Sequence, residues 1–275
     1  MLNFRILGAI EVSSPVGSLR PKGALQRSLL TAFLANACKL VPTQALVNEL
    51  WDCNPPERVE NALQAHVSRL RRRLAALEPE ISGPRLITHP SGYRLIIDDD
   101  ELDIATFLNG LGRLRHQHGT AEQIAGETRA LLALWRGPAF GGYAGGPISQ
   151  AAASLYEESY LSALELLFDC ELEAGNHQRI VPELRELLVK HPYKERFRQQ
   201  LMVAFYRSGR QADALDVYRD LRHQLSDDLG LLPSPIMREY ERAVLEQDPV
   251  LTSINPESRG IPLSPAPRHQ VHVSS

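Results

Sequence analysis

Two glycines 34 residues apart constrain this chain more than any other feature: Gly175 in ELEAGNHQRIVPELRELL and Gly209 in FYRSGRQADALDVYRDLR. At that offset Leu172 aligns with Tyr206, Val181 with Leu215, Leu184 with Tyr218 and Leu187 with Leu221. A glycine closes one helix and a small residue lets the next pack closely. A chain that repeats in this way stacks helix-turn-helix units, because one unit cannot bury its apolar face alone.

That spacing is the tetratricopeptide period, and the surrounding sequence agrees with it. Apolar residues recur at helical intervals through Ile104 to Leu114, Ile124 to Trp135, Ala151 to Leu172, Ile180 to Val189, Phe197 to Tyr206 and Ala212 to Leu225. One stretch breaks the pattern. WRGPAFGGYAGGP has five glycines and two prolines, which predicts an irregular linker between helices. No strand precedes its glycines and no Gly-Lys-Ser/Thr follows, so it is not a phosphate loop.

The first part of the chain is built differently. FRILGAIEV and the SSPVGS turn predict short strands, Ala24 to Ala37 a first helix, and Thr43 an N-cap for a second helix, QALVNELW. The loop DCNPPE ends that helix at Trp51, and Pro56 stands near the start of a third. GPRLITHPSGYRLII then predicts a β-hairpin around a Pro-Ser-Gly turn. Three helices and a closing hairpin in this order form a winged helix-turn-helix, whose third helix enters the DNA major groove.

The third helix, in NALQAHVSRLRRRLAAL, carries a sharper signal. Val59, Leu63, Val67, Leu70, Leu74 and Leu77 form one apolar stripe. The opposite face collects Asn61, Gln64, Ala65, Ser68 and Arg72, with Arg69 and Arg71 on its flanks and Arg73 nearer the buried edge. Basic residues near a helix end also complement its dipole without any ligand. A solvated helix, however, intersperses acids at i±4, and none occurs between Gln64 and Leu77. In third position this face predicts a recognition helix, since Asn, Gln, Ser and Arg pair with base edges and phosphates.

Charge divides the chain in the same place. Met1 to Ile97 carries twelve Lys/Arg against seven Asp/Glu, and the remainder eighteen against twenty-six, for an overall −3. The run DDDELD at Asp98–Asp103 should resist packing on a basic module and so marks a boundary. The expected organisation is a DNA-binding domain over residues 1–97, a helical domain over 98–250 and a disordered tail over 251–275, rich in Pro and Ser. The fold class is mostly α with a small β component.

Other chemistries find no support. Cys38, Cys53 and Cys170 are far apart without a CxxC pair, and His66, His89, His116, His118, His177, His191 and His223 show no metal-binding spacing. GxSxG, Walker and GxGxxG motifs are missing, so an enzyme has no residue to stand on, and neither a metal nor a cofactor is expected. No apolar run approaches a membrane span and the start lacks a signal peptide, which predicts a cytoplasmic protein that joins the nucleoid when bound to DNA.

Taken together, LGAIEV, LVNELWDCNPPERVENALQAHVSRLRRRL, SGYRL, the Asp103–Phe107 segment, LWRGPAFGGY and HPYKERFRQQLMVAFYRSGRQADALDVYRDLRHQLSDDLGLLPSP resemble the Streptomyces antibiotic regulatory protein family. The resemblance runs to about Pro249. Its members are transcription activators with an OmpR-like winged helix followed by a bacterial transcriptional activation domain. It implies that Asn61, Gln64, Ser68, Arg69, Arg71 and Arg72 read DNA, and that Ser91, Gly92, Tyr93 and Arg94 of the wing contact phosphate or the minor groove. It further implies that the loop carrying Asp52, Asn54 and Glu57 can be presented to RNA polymerase holoenzyme, and that two protomers bind head to tail on direct repeats in promoter DNA. Neither phosphorylation of a receiver nor a nucleotide is implied as a control. Two other readings are a ligand-sensing regulator or repressor, and a tetratricopeptide-type scaffold without specific DNA binding.

Overall fold

The computed structural model describes residues 1–80 and 83–251. The chain folds as two units, one of residues 1–113 with 129–163, the other of residues 114–128 with 164 onward.

The first unit opens with strands β1 (Asn3–Arg5), β2 (Glu11–Ser14) and β3 (Gly17–Leu19), joined as an antiparallel sheet in that order. Register puts Phe4 opposite Val12 and Val12 opposite Leu19, a row of three buried apolar side chains across one face of the sheet. Helix α1 (Ala24–Ala35) buries Leu29, Leu30, Phe33 and Leu34 at helical spacing, with Leu25 half-buried. Strand β4 (Leu40–Pro42), helices α2 (Thr43–Trp51) and α3 (Val59–Ala75), and the hairpin of β5 (Leu86–His89) and β6 (Gly92–Leu95) complete a winged helix-turn-helix. The second sheet has the order β4-β6-β5. Gly92 makes it possible, because a Cβ there would collide with the Val41 carbonyl oxygen.

Two helix starts differ from expectation. Pro42, in extended conformation, takes the N-cap of α2, and the amide of Thr43 donates to the Ser91 carbonyl across the sheet (3.1 Å). Thr43 is therefore the first helical residue rather than the cap. Helix α3 begins at Val59, three residues past Pro56, after a turn in which Asp52 takes a positive φ of 50°.

The acidic run does not behave as a repelled boundary. Glu101 is buried and grips Arg85, whose guanidinium also bonds Glu78, at 2.5 to 2.7 Å on both sides. Asp103 accepts from the amides of Ile6 (2.9 Å) and Leu7 (3.1 Å) at the end of β1. A carboxylate that finds a guanidinium or several N–H donors has lost the reason to stay in water. Burial nevertheless raises the Asp103 carboxyl above its ordinary range, against the opposing pull of those amides and of Arg136.

The Gly-rich connection is likewise more than a linker. Helices α4 (Asp103–His116), α5 (Ala121–Leu132) and α6 (Pro147–Glu173) each contribute residues to both units. Between α5 and α6, the amides of Arg136 and Phe140 donate to the carbonyls of Leu7 and Ile6 at 2.8 Å. The Tyr143 hydroxyl pairs with Ser28 of α1 (2.8 Å), and the Arg27 guanidinium lies 5.1 Å from the Tyr143 ring centroid. Glu49 of α2, itself buried, accepts from the amides of Gly146 (3.0 Å) and Ile148 (2.7 Å) and from the Ser149 hydroxyl. One side chain of the helix-turn-helix thereby caps the N-terminus of α6.

In the second unit, α7 (His177–Lys190), α8 (Glu195–Arg207), α9 (Gln211–Leu229) and α10 (Pro235–Leu245) follow the end of α6. The 34-residue repeat is visible in the backbone. Gly175 and Gly209 take positive φ values of 80° and 74°, and the next amides, Asn176 and Arg210, reach back to the carbonyls of Glu171 (2.8 Å) and Phe205 (2.9 Å). This is the same helix-closing turn twice. Helix α10 lies past the last periodic segment expected from sequence, although Ser234 as N-cap and Pro235 behind it announce its start. Of the tail expected over 251–275, Leu251 is buried at the end of a 3-10 turn over Pro249–Leu251, and the rest lies outside the described residues.

Candidate nucleic-acid interface

The apolar stripe of α3 is buried as expected: Leu63, Val67, Leu70 and Leu74, continued by Leu77, pack inward, with Val59 half-buried. The orientation this fixes exposes Asn61, Gln64, Ala65, Ser68 and Arg72 along one line, about 16 Å from first to last at 1.5 Å per residue. Behind them His66 locks the helix to its neighbours. Its Nδ1 lies 2.9 Å from the amide nitrogen of Gln26 on α1, and its ring meets Trp51 of α2 edge-on at 6.1 Å. Burial, and secondarily the charge of Arg69, holds the His66 imidazole below its ordinary value. The neutral ring suits its place beneath a basic surface.

The arginines divide into two kinds. Arg69 and Arg72 are exposed and have no ion-pair partner among the described residues. Arg71 is half-buried and turned to the wing, donating to the Leu86 carbonyl and to the Thr88 hydroxyl, both at 2.9 Å. Arg73 donates to the Arg20 carbonyl (2.8 Å). Arg71 and Arg73 fasten α3 to β5 and to the chain leaving β3, so their guanidinium donors are partly occupied inside the protein. The helical pattern hides this service of Arg71 to the wing, because Thr88 lies 17 residues away.

The wing residues separate in the same way. Ser91 and Arg94 are exposed, with Ser91 Oγ bonded to His89 Nδ1 (2.9 Å) across the turn. Gly92 and Tyr93 are buried against β4, so packing rather than surface contact is what the structure gives them. The exposed positions of β5, Ile87, Thr88 and His89, escape a reading from sequence; strict alternation of the hairpin does not reveal them, since three successive residues face out. The segment containing Asp52, Asn54 and Glu57 is exposed throughout, shaped by the positive φ of Asp52 and by the Asn54 amide donating to Trp51 (2.9 Å).

Among the described residues no cluster of His, Cys, Asp and Glu could hold a metal ion, and no helix is long and apolar enough to cross a membrane.

Comparison with known proteins gives this surface its setting. Residues 22–95 match the family described as Transcriptional regulatory protein, C terminal, and residues 102–245 match the Bacterial transcriptional activator domain. The transcriptional regulator RedD of Streptomyces coelicolor is 37% identical over 257 residues, spanning 91% of this chain and 72% of RedD. The regulatory protein DnrI of Streptomyces peucetius is 32% identical, over 93% of this chain and 96% of its own. A solved structure of Mycobacterium tuberculosis EmbR, in complex with a low affinity phosphopeptide, superposes with a TM-score of 0.82 at 30% identity, covering 90% of this chain and 66% of EmbR. With both modules matched in order and relatives aligned across nearly the whole chain, the protein belongs to the Streptomyces antibiotic regulatory protein family of transcriptional activators.

Proposed function

We propose that the protein binds direct repeats in promoter DNA through α3 and the wing, as a head-to-tail pair, and recruits RNA polymerase holoenzyme to genes of a secondary-metabolite cluster. The observation that carries this reading is the exposed line Asn61, Gln64, Ser68 and Arg72, flanked by Arg69, on the third helix of a winged helix-turn-helix. Amides and hydroxyls near the start of such a helix point at base edges, while arginines toward its end reach phosphates. Ser91 and Arg94 supply the wing contact. The helical residues from Asp98 on act on the transcription machinery, with the Asp52–Glu57 loop as a second contact.

Alanine at Asn61 or Gln64 should relax sequence preference, costing about 1–3 kcal/mol at the base each one reads. Arg69→Ala and Arg72→Ala should instead weaken binding to every sequence and lower the salt slope by about one each. Arg71→Ala should act mainly by loosening the wing, since it removes bonds to Leu86 and Thr88. Binding isotherms on operator and competitor DNA at several salt concentrations separate these outcomes; variants at Asn61, Gln64, Arg69 and Arg72 all indistinguishable from wild type would mean that α3 is not the reading helix.

Repeat geometry gives a second test. Two protomers on one side of the duplex require repeats about 10–10.5 bp apart, centre to centre. A half-turn insertion should abolish tight binding and, with purified holoenzyme, activated transcription. Unchanged affinity after the insertion, or a footprint with palindromic symmetry, would remove the head-to-tail pair. A protein that occupies the promoter fully without raising transcript yield would remove the recruitment step.

A further inference from the structure

In the second unit, α7 and α9 both pack on α8 and leave a groove between them of about 440 Å³. Its floor is Leu201 and Phe205 of α8 with Val217 of α9. The α7 wall adds Leu188 and Val189, and Val189 is 83% exposed, the most exposed large hydrophobic side chain among the described residues. The lining of the groove ends at Gln224, and the chain beyond it carries further exposed apolar residues. Tyr193, beside the lining residue Pro192, bonds Asp228 one turn further along α9 (2.9 Å), and Leu229, Leu231 and Leu232 follow with half or more of their surface in water. From Asp213 to Gln224 the α9 side of this track is about 16 Å long at 1.5 Å per residue.

Charge along this track is divided by wall, acidic on α9 and basic on α7, with the buried Arg198 of α8 between them and Arg210 over the Phe205 ring at 4.4 Å. Asp213, Asp216 and Asp220 line the α9 wall at i, i+3 and i+7, a single acidic stripe. Asp213 and Asp216 form surface pairs with neighbours three residues away, Arg210 (2.8 Å) and Arg219 (2.7 Å). Such exposed pairs exchange partners at little cost. Asp220 has no ion pair among the described residues. The facing wall carries the opposite sign in Arg185, whose guanidinium sits over the Phe205 ring at 5.2 Å.

We infer that the groove between α7 and α9 receives an amphipathic helix of a partner protein, apolar on the face that meets Leu201, Phe205 and Val189, and basic along the edge that meets Asp213, Asp216 and Asp220. Val189, exposed beside the half-buried Leu188, gives the groove an apolar rim of the kind that marks a protein contact, and an amphipathic helix docks in such a groove through apolar anchors at i, i+3/i+4 and i+7. The acidic stripe and Arg185 on opposite walls fix which edge of the occupant faces which helix. The site lies in the helical part alone and is independent of how α3 meets DNA.

The test uses the full chain and two labelled peptides of about 16 residues, long enough for the track. Both carry leucine at i, i+4, i+7 and i+11, one with lysine and one with glutamate along the same edge. Fluorescence anisotropy should show the lysine peptide binding about tenfold more tightly, a difference of about 1.4 kcal/mol. The double substitution Asp216→Lys with Asp220→Lys should reverse that order, and Val189→Asp on the facing wall should weaken both peptides. Equal binding of the two peptides by the wild type, or an unchanged order in the double variant, overturns the inference. Concentration-dependent self-association that the same substitutions abolish also overturns it, because the occupant would then be a second copy of the chain.

Discussion

Glu49→Ala should lower the unfolding free energy by about 3 kcal/mol, more than any change on the exposed face of α3. The carboxylate accepts from the amides of Gly146, Ile148 and Ser149 and from the Ser149 hydroxyl, at a site where Ser149 is fully buried. Its loss leaves the buried amide and hydroxyl of Ser149 and the part-buried amides of Gly146 and Ile148 without this acceptor. Gly146 shows how close the fit is: a Cβ there would come within 2.6 Å of the Glu49 carbonyl oxygen. Glu49→Gln should cost less, since one acceptor oxygen survives while its NH2 faces donors. Urea denaturation followed by circular dichroism gives both values. A Glu49→Ala midpoint equal to wild type would mean that the α6 terminus finds other acceptors.

Arg85→Ala should be comparably damaging, at roughly 3–5 kcal/mol, because it strands the buried Glu101 carboxylate without a counter-ion. Replacing arginine and both carboxylate partners together, as Arg85→Met with Glu78→Leu and Glu101→Leu, should recover much of the loss, since apolar groups of similar volume need no pairing. The same arginine sets part of the pH response. Its hydrogen bond, against the opposing effect of burial, holds the Glu78 carboxyl below the ordinary carboxylate range. That contribution is complete above the unfolded value and disappears as pH falls through the folded one. Stability measured from neutral pH into acid should therefore converge between wild type and Arg85→Ala. Asp103 titrates with the opposite sign, its carboxyl being raised by burial, but it is common to both proteins and cancels in the difference. Parallel curves with no convergence would assign the acid sensitivity elsewhere.

What the sequence reveals is whatever local periodicity encodes. The buried stripe of α3, the hairpin of the wing and the 34-residue recurrence of Gly175 and Gly209 all depend on residues a few positions apart, or on a repeat that writes the same turn twice. The misreadings share a different cause. DDDELD reads as solvated because the guanidinium that neutralises Glu101 belongs to Arg85, 16 residues earlier, and the amides that hold Asp103 belong to Ile6 and Leu7, 97 and 96 residues away. WRGPAFGGYAGGP reads rightly as an irregular connection between helices, but its anchors, Ile6, Leu7, Ser28 and Glu49, are too distant in the chain for local pattern to show. Within the site, exposure of Asn61, Gln64, Ser68, Arg69 and Arg72 follows from the apolar stripe alone. The engagement of Arg71 with Thr88 and the burial of Tyr93 require the β4-β6-β5 sheet to be in place.

The route of the chain bears on how such regulators are inherited. It leaves the first unit after residue 113, returns at 129 and leaves again after 163. A recombination joint near Ile97, where charge and family modules both suggest a seam, would give Ile6, Leu7 and Glu49 foreign partners for bonds that the native Asp103, Arg136, Phe140 and Ser149 now complete. The heritable piece that keeps those bonds runs from Met1 to Ala163 and carries residues 114–128 of the other unit with it. Exchanging only the residues before Ile97 between relatives is thus expected to cost stability, and exchanging residues 1–163 as one piece to preserve it.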